Sequence, residues 1–251
     1  MANPTIELLM ARRSVRSFEE RPVGRGTRDA VLAAALRAPT AGNMMLYSVI
    51  EVEDQGLKDK LAVSCDGQGF IAASPWVLVF LADYQRWMDY FELSGALGGE
   101  AAARPLESDL LLAFSDAFAA AQTAVVAAEA LGLGSCYIGD VMENYELHRE
   151  LLGLPRYAFP AAMLCLGYPT AQQRERPQPP RFDRRHVVFA DRYERRSPED
   201  FAQMFGGPFY AGASLLPGAG NYGQHVYRRK FAAGYSLEMR RSVRRALEEW
   251  K

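Results

Sequence analysis

The stretch from Ala121 to Gly139, AQTAVVAAEALGLGSCYIG, limits most strongly what this chain can fold into. Its first half has the composition of a helix that is apolar on almost every side, and such a helix is either buried or part of an interface. Gly132 and Gly134 then end the helix, as glycines past a helix terminus commonly do. SCYIG follows directly and ends on Gly139, where a bare backbone can lie against a ligand. An ordinary core helix with a glycine cap explains the same residues equally well.

Composition narrows the class of protein. The chain has 251 residues, of which 49% are hydrophobic and 24% charged, and its net charge of -1 gives no reason to expect a nucleic-acid or membrane partner. Three cysteines (Cys65, Cys136 and Cys165) form no CxxC motif and stand in apolar surroundings, which favours buried thiols in a reducing compartment. The first residues lack the apolar core of a signal peptide, and no apolar run reaches about 18 residues. We therefore expect a cytoplasmic protein without a membrane span.

The order of elements predicts an α+β fold with helices packed on a central sheet. Apolar stretches predict strands at 46–52, 76–81 and 158–168, and residues 186–189 form a fourth, short extended candidate. Periodicity predicts helices from Pro4 and over 25–37, 57–63, 84–93, 106–130, 143–152 and 225–251, the last one basic and amphipathic. Residues 95–105, 170–183 and 206–223 have the composition of loops or linkers.

The usual catalytic signatures are missing from the sequence. It contains no P-loop, no GxSxG elbow and no GxGxxG motif after a strand. His148, His186 and His225 stand alone, without the spacing of metal ligands, so we predict no metal site and no Ser-His-Asp triad. A chain of this kind can leave the chemistry to a bound cofactor and supply position and electrostatics.

Two short stretches are candidates for holding such a cofactor. Arg12–Ser17 carries three arginines and two hydroxyls; if it is extended, Arg12, Ser14 and Arg16 lie on one side, where guanidinium groups suit a phosphate. A solvated basic loop at a helix end is the alternative. Pro39–Asn43 joins a helix to a strand with small residues, so a flat ligand could meet its backbone, although a plain connection would look the same.

Four segments in this order resemble the nitroreductase family of FMN-dependent oxidoreductases. They are ARRSVRSFEERPV (11–23), APTAGNMMLYSVIEVED (38–54), AAQTAVVAAEALGLGSCYIGD (120–140) and LLGLPRYAFPAAMLCLGYP (151–169). The resemblance implies a nitroreductase-like α+β fold with a central, mostly antiparallel sheet. It also implies a domain-entwined homodimer with two FMN sites at the interface. We predict an FMN-binding domain at 1–195 and a C-terminal loop and helix at 196–251 that packs on the same domain or on the partner subunit.

The resemblance also assigns roles to particular residues. Arg12, Arg13 and Ser14 match the motif that grips the FMN phosphate and ribityl chain, and Arg16 would lie near the pyrimidine edge, where a cation stabilises the charge that builds up on reduction. Further cofactor contacts are implied for Pro39, Thr40, Ala41, Asn43, Gln68, Tyr137, Ile138, Gly139 and Asp140, and for Arg176 or Arg181, between which the sequence does not choose.

Two positions depart from the family pattern. Met45-Leu46 stands where Gln-Pro usually follows the AGN loop, and Asp140 stands where a small residue usually follows Ile-Gly. Both positions lie near the expected flavin ring, so they affect the prediction of substrate preference.

The implied reaction is a two-step hydride transfer through flavin N5, from NADPH or NADH to a nitroaromatic, quinone or flavin-type acceptor. Three alternatives remain open from the sequence. One is a flavin-binding carrier or sensor without efficient turnover, and another is an enzyme like the flavin-fragmenting dimethylbenzimidazole synthases. The third is an α+β domain that binds some other phosphorylated ligand through Arg12–Arg16.

Overall fold

A computed structural model describes residues 3–98 and 102–250. The chain forms two compact units, one made of the residues up to Arg176 together with those from Glu238 on, and the other of Pro177–Leu237. The domain division at 195/196 given above stays a prediction.

The first unit contains both helices and strands, and the second contains helices without strands. The helices are Pro4–Ala11 (α1), Arg25–Ala35 (α2), Gln55–Ser64 (α3), Gln85–Leu93 (α4), Glu107–Ala130 (α5), Tyr145–Leu152 (α6), Ala171–Glu175 (α7), Pro198–Phe205 (α8), Pro208–Ala211 (α9), Tyr222–Val226 (α10) and Gly234–Trp250 (α11). The strands are Tyr47–Val52 (β1), Trp76–Asp83 (β2), Gly134–Ile138 (β3) and Ala158–Gly167 (β4).

The four strands form one antiparallel sheet in the order β1-β2-β4-β3. The two central strands, β2 and β4, are buried along their whole length. This burial on both faces explains why they read in sequence as continuous apolar runs rather than as alternating patterns.

Alternate residues of β2 pack into two different cores. Leu78 and Phe80 join the cluster that contains α2 and the buried face of α5. Val77 and Val79 point to the opposite face and join a cluster with α3 and the end of β3. The sheet is therefore a middle layer between helices, as side-chain alternation along a strand requires.

The small side chains of α5 let it lie close against the sheet, as the composition of 120–130 predicts. Ala117, Ala120, Ala121, Ala124 and Ala128 are fully buried. By length and composition α5 could also cross a membrane. Its packing against α2 and the sheet accounts for that apolar character without a bilayer.

The Arg12–Phe18 segment runs along the outer edge of β3 and the end of β4. Ser14 forms an isolated parallel bridge with Ser135, and the Val15 N–H donates to the Ser135 carbonyl at 2.8 Å. A Cβ on Gly134 would lie 2.6 Å from Val15 Cγ2, so only glycine lets the segment approach this closely.

Several sequence predictions of secondary structure are wrong in detail. The fourth strand is Gly134–Ile138, whereas the candidate at 186–189 begins within a single 3-10 turn, Arg184–His186, and pairs with no described strand. The helix predicted over 225–251 is broken: Tyr222–Val226 continues into a π-helical turn, Tyr227–Phe231, and α11 begins only at Gly234. The predicted loops at 170–183 and 206–223 contain the short helices α7 and α9.

The second unit contains a cluster of partly exposed aromatic rings. Tyr210 lies 5.3 Å from Phe205 and 5.0 Å from Tyr222 between ring centroids, and Phe182 lies 5.3 Å from Phe205. Within the first unit, α11 ends at the buried Trp250, whose ring meets Tyr157 edge-on.

Candidate functional site

The arginine segment is held in place by hydrogen bonds. The Arg13 guanidinium donates through one nitrogen to the carbonyl oxygens of Arg174, at 2.5 Å, and Arg176, at 2.7 Å. The Arg16 N–H donates to the side-chain oxygen of Gln173 at 3.2 Å. These bonds join the N-terminal segment to residues about 160 positions later.

The charges of three arginines act on the middle of β3. Burial raises the pKa of the Cys136 thiol, and the nearby charges of Arg16, Arg12 and Arg176 oppose that rise. Arg12 also lies 3.6 Å from the carboxylate of Glu129. Burial raises the pKa of Glu129, and its hydrogen bond with Ser135 and the nearby charges of Arg12 and Arg13 oppose that rise. The site thus offers several cations and one partly buried carboxylate.

Arg176 and Arg181 have different surroundings. Arg176 ends the first unit, and its carbonyl is bound by Arg13. Arg181 belongs to the second unit, where its guanidinium donates to the carbonyls of Pro179 and Pro180 at 3.3 and 3.4 Å. Arg176 is therefore the one that shares a unit with Arg12–Arg16.

The loop after Pro39 is organised by a carboxylate that the sequence analysis missed. Asp116, buried in the middle of α5, accepts hydrogen bonds from the Thr40 hydroxyl and from the N–H groups of Ala41, at 3.1 Å, and Leu46, at 3.2 Å. The Thr40 oxygen in turn accepts from the Met45 N–H at 2.7 Å. An acidic residue inside an otherwise apolar helix was the signal that would have identified it, since a buried charge needs partners.

The same loop has an unusual backbone. Gly42, Asn43 and Met45 have φ angles of 55°, 57° and 50°, in the left-handed region. Two of these three residues carry side chains, so the loop stores conformational strain that the Asp116 hydrogen bonds offset. Asn43 itself is exposed at the loop surface, next to half-buried Ala41 and Thr40.

The backbone just after β3 is accessible to solvent. Gly139 is exposed, whereas the preceding Ile138 is buried. Tyr137 stacks on Phe118 of α5 with the ring centroids 5.9 Å apart, and burial raises the pKa of its phenol to about 12. Tyr137 is therefore a neutral, fixed aromatic residue at ordinary pH.

Gln68 and Asp140, predicted separately, are in contact. The Gln68 amide nitrogen donates to the Asp140 carboxylate at 2.7 Å and to the Cys65 carbonyl at 2.9 Å. Near them is a second residue that the sequence analysis missed, Glu143, which is only 3% exposed. Burial, together with the charge of Asp140 and a hydrogen bond to it, raises the pKa of Glu143 to about 8.

The residues described here contain no cluster of three or more side chains of the metal-ligating types His, Cys, Asp and Glu. The three cysteines are all buried and free, as their sequence surroundings indicate.

Comparison with known proteins identifies the family. The model of the Nitroreductase family matches residues 9–168. The chain belongs to the nitroreductase family. The oxygen-insensitive NADPH nitroreductase of Salmonella typhimurium is 36% identical over 178 residues, which cover 71% of each chain. The FMN reductase (NAD(P)H) of Bacillus subtilis is likewise 36% identical over 178 residues, again 71% of each.

Solved structures agree with this family over nearly the whole chain. NfrA2 of B. megaterium superposes with a TM-score of 0.82 at 26% identity, covering 98% of both chains. The NADPH:FMN oxidoreductase of Vibrio harveyi, solved with NAD+, gives a TM-score of 0.80 at 25% identity and the same coverage. The nitroreductase-like α+β fold and the antiparallel sheet predicted from the sequence are thus confirmed.

Proposed function

We propose that this nitroreductase-family protein is an FMN-dependent oxidoreductase that uses NADPH or NADH to reduce nitroaromatic, quinone or flavin-type acceptors in two steps. The observation that carries the proposal is the arginine segment itself: its backbone pairs with β3 at Ser135, and Arg13 joins it to the backbone of Arg174 and Arg176. The same strand leads to exposed backbone at Gly139. Relatives named as an NADPH nitroreductase and an FMN reductase support the same activity.

The chemistry of the first unit fits FMN. A phosphate needs cations and N–H donors, and the segment that contains Arg12, Arg13 and Ser14 provides them on a fixed backbone. A flat ring system can lie against exposed main chain and a neutral aromatic side chain. Gly139 provides the exposed main chain, and Tyr137 provides the neutral aromatic ring. We assign the remaining phosphate contact to Arg176 rather than Arg181, because only Arg176 belongs to the unit that holds the other arginines.

When bound, FMN supplies hydride transfer through N5, and the protein's residues position it. The side chain of Arg16 is exposed, so it could place its charge at the pyrimidine edge of FMN. There it would stabilise negative charge that develops on reduction. The loop of Thr40, Ala41 and Asn43, held by Asp116, would border the ring on another side.

We also propose that the protein forms a homodimer through α5. The side of α5 that faces away from the core exposes Leu111, Leu112 and Phe118, with 67%, 43% and 36% of their surfaces accessible. Exposed apolar residues on the long central helix suit a subunit interface. Three buried free thiols are consistent with the cytoplasm as the compartment.

Stopped-flow half-reactions test the proposal. FMN-loaded protein is mixed anaerobically with NADPH or NADH, and the reduced protein is then mixed with a quinone or a nitroaromatic. Rapid reduction followed by rapid reoxidation, with parallel lines in steady-state double-reciprocal plots, is expected for the two-step scheme. Bound FMN that neither nicotinamide reduces would instead support a carrier or sensor, and fragmentation of reduced FMN in air would support a synthase.

A further inference from the structure

Glu143 is a buried acid whose environment leaves part of its carboxyl group without a partner. It follows the single 3-10 turn Asp140–Met142 and is 3% exposed. Its Oε1 atom is buried and has no hydrogen-bond partner among the described residues. A lone buried carboxylate is costly, so a buried acid either pairs with a cation or keeps its proton.

The groups that shift the pKa of Glu143 are acids, and the nearby cation Arg241 is paired with Glu238 and Glu146. These acids are Asp140, Asp66 and Glu238, and all three raise the pKa of Glu143. The nearby Cys65 thiol also has its pKa raised, by burial and by Asp140 and Glu143. His148 approaches the same turn, but burial lowers its pKa, so it is neutral and its Nδ1 lies 2.8 Å from the Val141 carbonyl. These surroundings favour protonated Glu143 that donates to Asp140.

Asp140 in turn determines which way the side-chain amide of Gln68 is oriented. Both hydrogen-bond contacts of the Gln68 amide nitrogen are taken, by Asp140 at 2.7 Å and by the Cys65 carbonyl at 2.9 Å. The side-chain oxygen of Gln68 is left as the atom that can accept a hydrogen bond from a ligand. If Asp140 were replaced by a residue that cannot accept, the amide could rotate by 180° and present its nitrogen instead.

The turn that carries Asp140 and Glu143 is anchored on its far side. The Asn144 N–H donates to Glu238 at 3.2 Å, and the Tyr145 N–H donates to the Ser242 hydroxyl at 3.1 Å. Arg241 binds both Glu146 and Glu238, which ties the residues after the turn to α11. The carboxyl pair is therefore held in position by the backbone.

We propose that Glu143 donates its proton to Asp140, that Asp140 fixes the orientation of the Gln68 amide, and that both acids are positioning residues for FMN. The inference rests on the proposed function only in naming FMN as the ligand. In this arrangement Asp140 and Glu143 together carry one negative charge, and Gln68 offers its oxygen to a donor on the ligand. Asp140 thereby acquires a role at the position where the family usually has a small residue.

Infrared spectroscopy tests the proton itself, with or without FMN. At pH 7 the purified wild-type protein should show the C=O stretch of a buried carboxylic acid. Glu143→Gln should lose that band because the protonated acid is gone, whereas Asp140→Asn should keep it, because burial still holds the proton on Glu143. The exposed acid Glu150 serves as the control, and Glu150→Gln should keep the band. A wild-type protein without the band, a band that persists in Glu143→Gln, or loss of the band in Asp140→Asn overturns the proposal.

FMN affinity tests the positioning role. Titration of FMN-free protein, followed by flavin fluorescence, should give a dissociation constant about tenfold higher for Asp140→Ala, the equivalent of one lost charge-assisted hydrogen bond. Asp140→Asn should restore the wild-type constant, since its amide can accept from Gln68 and donate to Glu143. Gln68→Ala should weaken binding similarly, and adding Asp140→Ala to it should have no further effect. Additive losses, or an unchanged constant in Asp140→Ala, contradict the role. Wild-type protein that shows the infrared band but binds no FMN refutes the proposed function and leaves the proton pair standing.

Discussion

The hydroxyl of Thr40 donates a hydrogen bond to the carboxylate of Asp116, which lies 76 positions later in the chain. This contact fixes the loop that borders the proposed flavin site to the middle of the central helix. Because two backbone N–H groups of the loop share the same carboxylate, Asp116 holds the loop in its left-handed conformation.

Replacing Asp116 by alanine should therefore destabilise the protein. The change leaves three donors without their partner, and we expect a loss of about 3 kcal/mol or more in the free energy of unfolding. Urea denaturation measures it. Glu92→Ala, which removes an exposed acid on α4, should change stability little. Equal effects of the two substitutions would contradict the account of the loop.

Gly134→Ala should be destabilising because the added methyl group would collide with Val15. A Cβ added at Gly134 would lie 2.6 Å from Val15 Cγ2 and 2.8 Å from Val15 Cβ. The arginine segment would therefore have to move away from β3. We expect a loss of about 1–3 kcal/mol in unfolding free energy, typical of overpacking. Gly26→Ala is the control, since its Cβ meets nothing within 4 Å and the residue lies in α2.

The second substitution that tests this contact is Val15→Ala. Combined with Gly134→Ala it should cost less than the sum of the two single changes, because the smaller side chain makes room for the new methyl group. Additive losses in thermal denaturation would show that the clash is not the cause.

The raised pKa of Glu143 predicts a pH dependence of stability. Folded protein keeps the Glu143 proton up to about pH 8, whereas the unfolded chain releases it near 4.5. Between these values the folded state binds more protons, so this contribution to the free energy of unfolding falls as the pH rises and is then lost above about pH 8. Urea unfolding at several pH values should show this slope in the wild type and its absence in Glu143→Gln. Parallel profiles of the two proteins would contradict the shift.

Arg13 should affect cofactor affinity through the backbone it holds as well as through its charge. Arg13→Gln removes the two bonds to the carbonyls of Arg174 and Arg176, so the segment that includes Arg176 becomes less ordered. We expect an increase of about tenfold or more in the dissociation constant of FMN. Arg25→Gln, which removes an exposed arginine in α2, should leave the constant unchanged. Fluorescence titration distinguishes them, and equal constants for both variants would refute this role.

The sequence predicted the sheet's buried strands and its central helix because their signals are local. Trp76–Leu81 is a continuous apolar run, and the alanines of 120–130 predict a helix that is either buried or part of an interface. The sequence does not predict the strand β3. Its five residues, with Gly132 and Gly134 at or just before its start, are too few to show the periodicity of a strand. It exists because it pairs with β4 along its whole length.

The candidate site was predictable only in its motif residues. Contacts between distant positions, such as Asp116 with Thr40 or Gln68 with Asp140, depend on how the helices lie against the sheet, and no local pattern encodes that. Arg13 illustrates the same limit: its guanidinium was expected at a phosphate, and it also binds two backbone carbonyls. The roles of the motif residues in FMN binding stay predictions.

The break before α11 has a different cause. The periodicity of Phe231, Tyr235 and Met239 favours one continuous helix, but the π-helical turn ends at Phe231 and shifts the register. A π-turn adds a residue to one helical turn, which sequence periodicity does not show.

An anaerobic absorbance titration of the FMN-loaded protein with NADPH, and then with NADH, tests the central claim most directly. If the protein is an FMN-dependent oxidoreductase, the visible flavin band should bleach with one equivalent of at least one nicotinamide and return when a quinone is added. A band that remains oxidised with both nicotinamides, or a protein that takes up no FMN after reconstitution, would contradict the account.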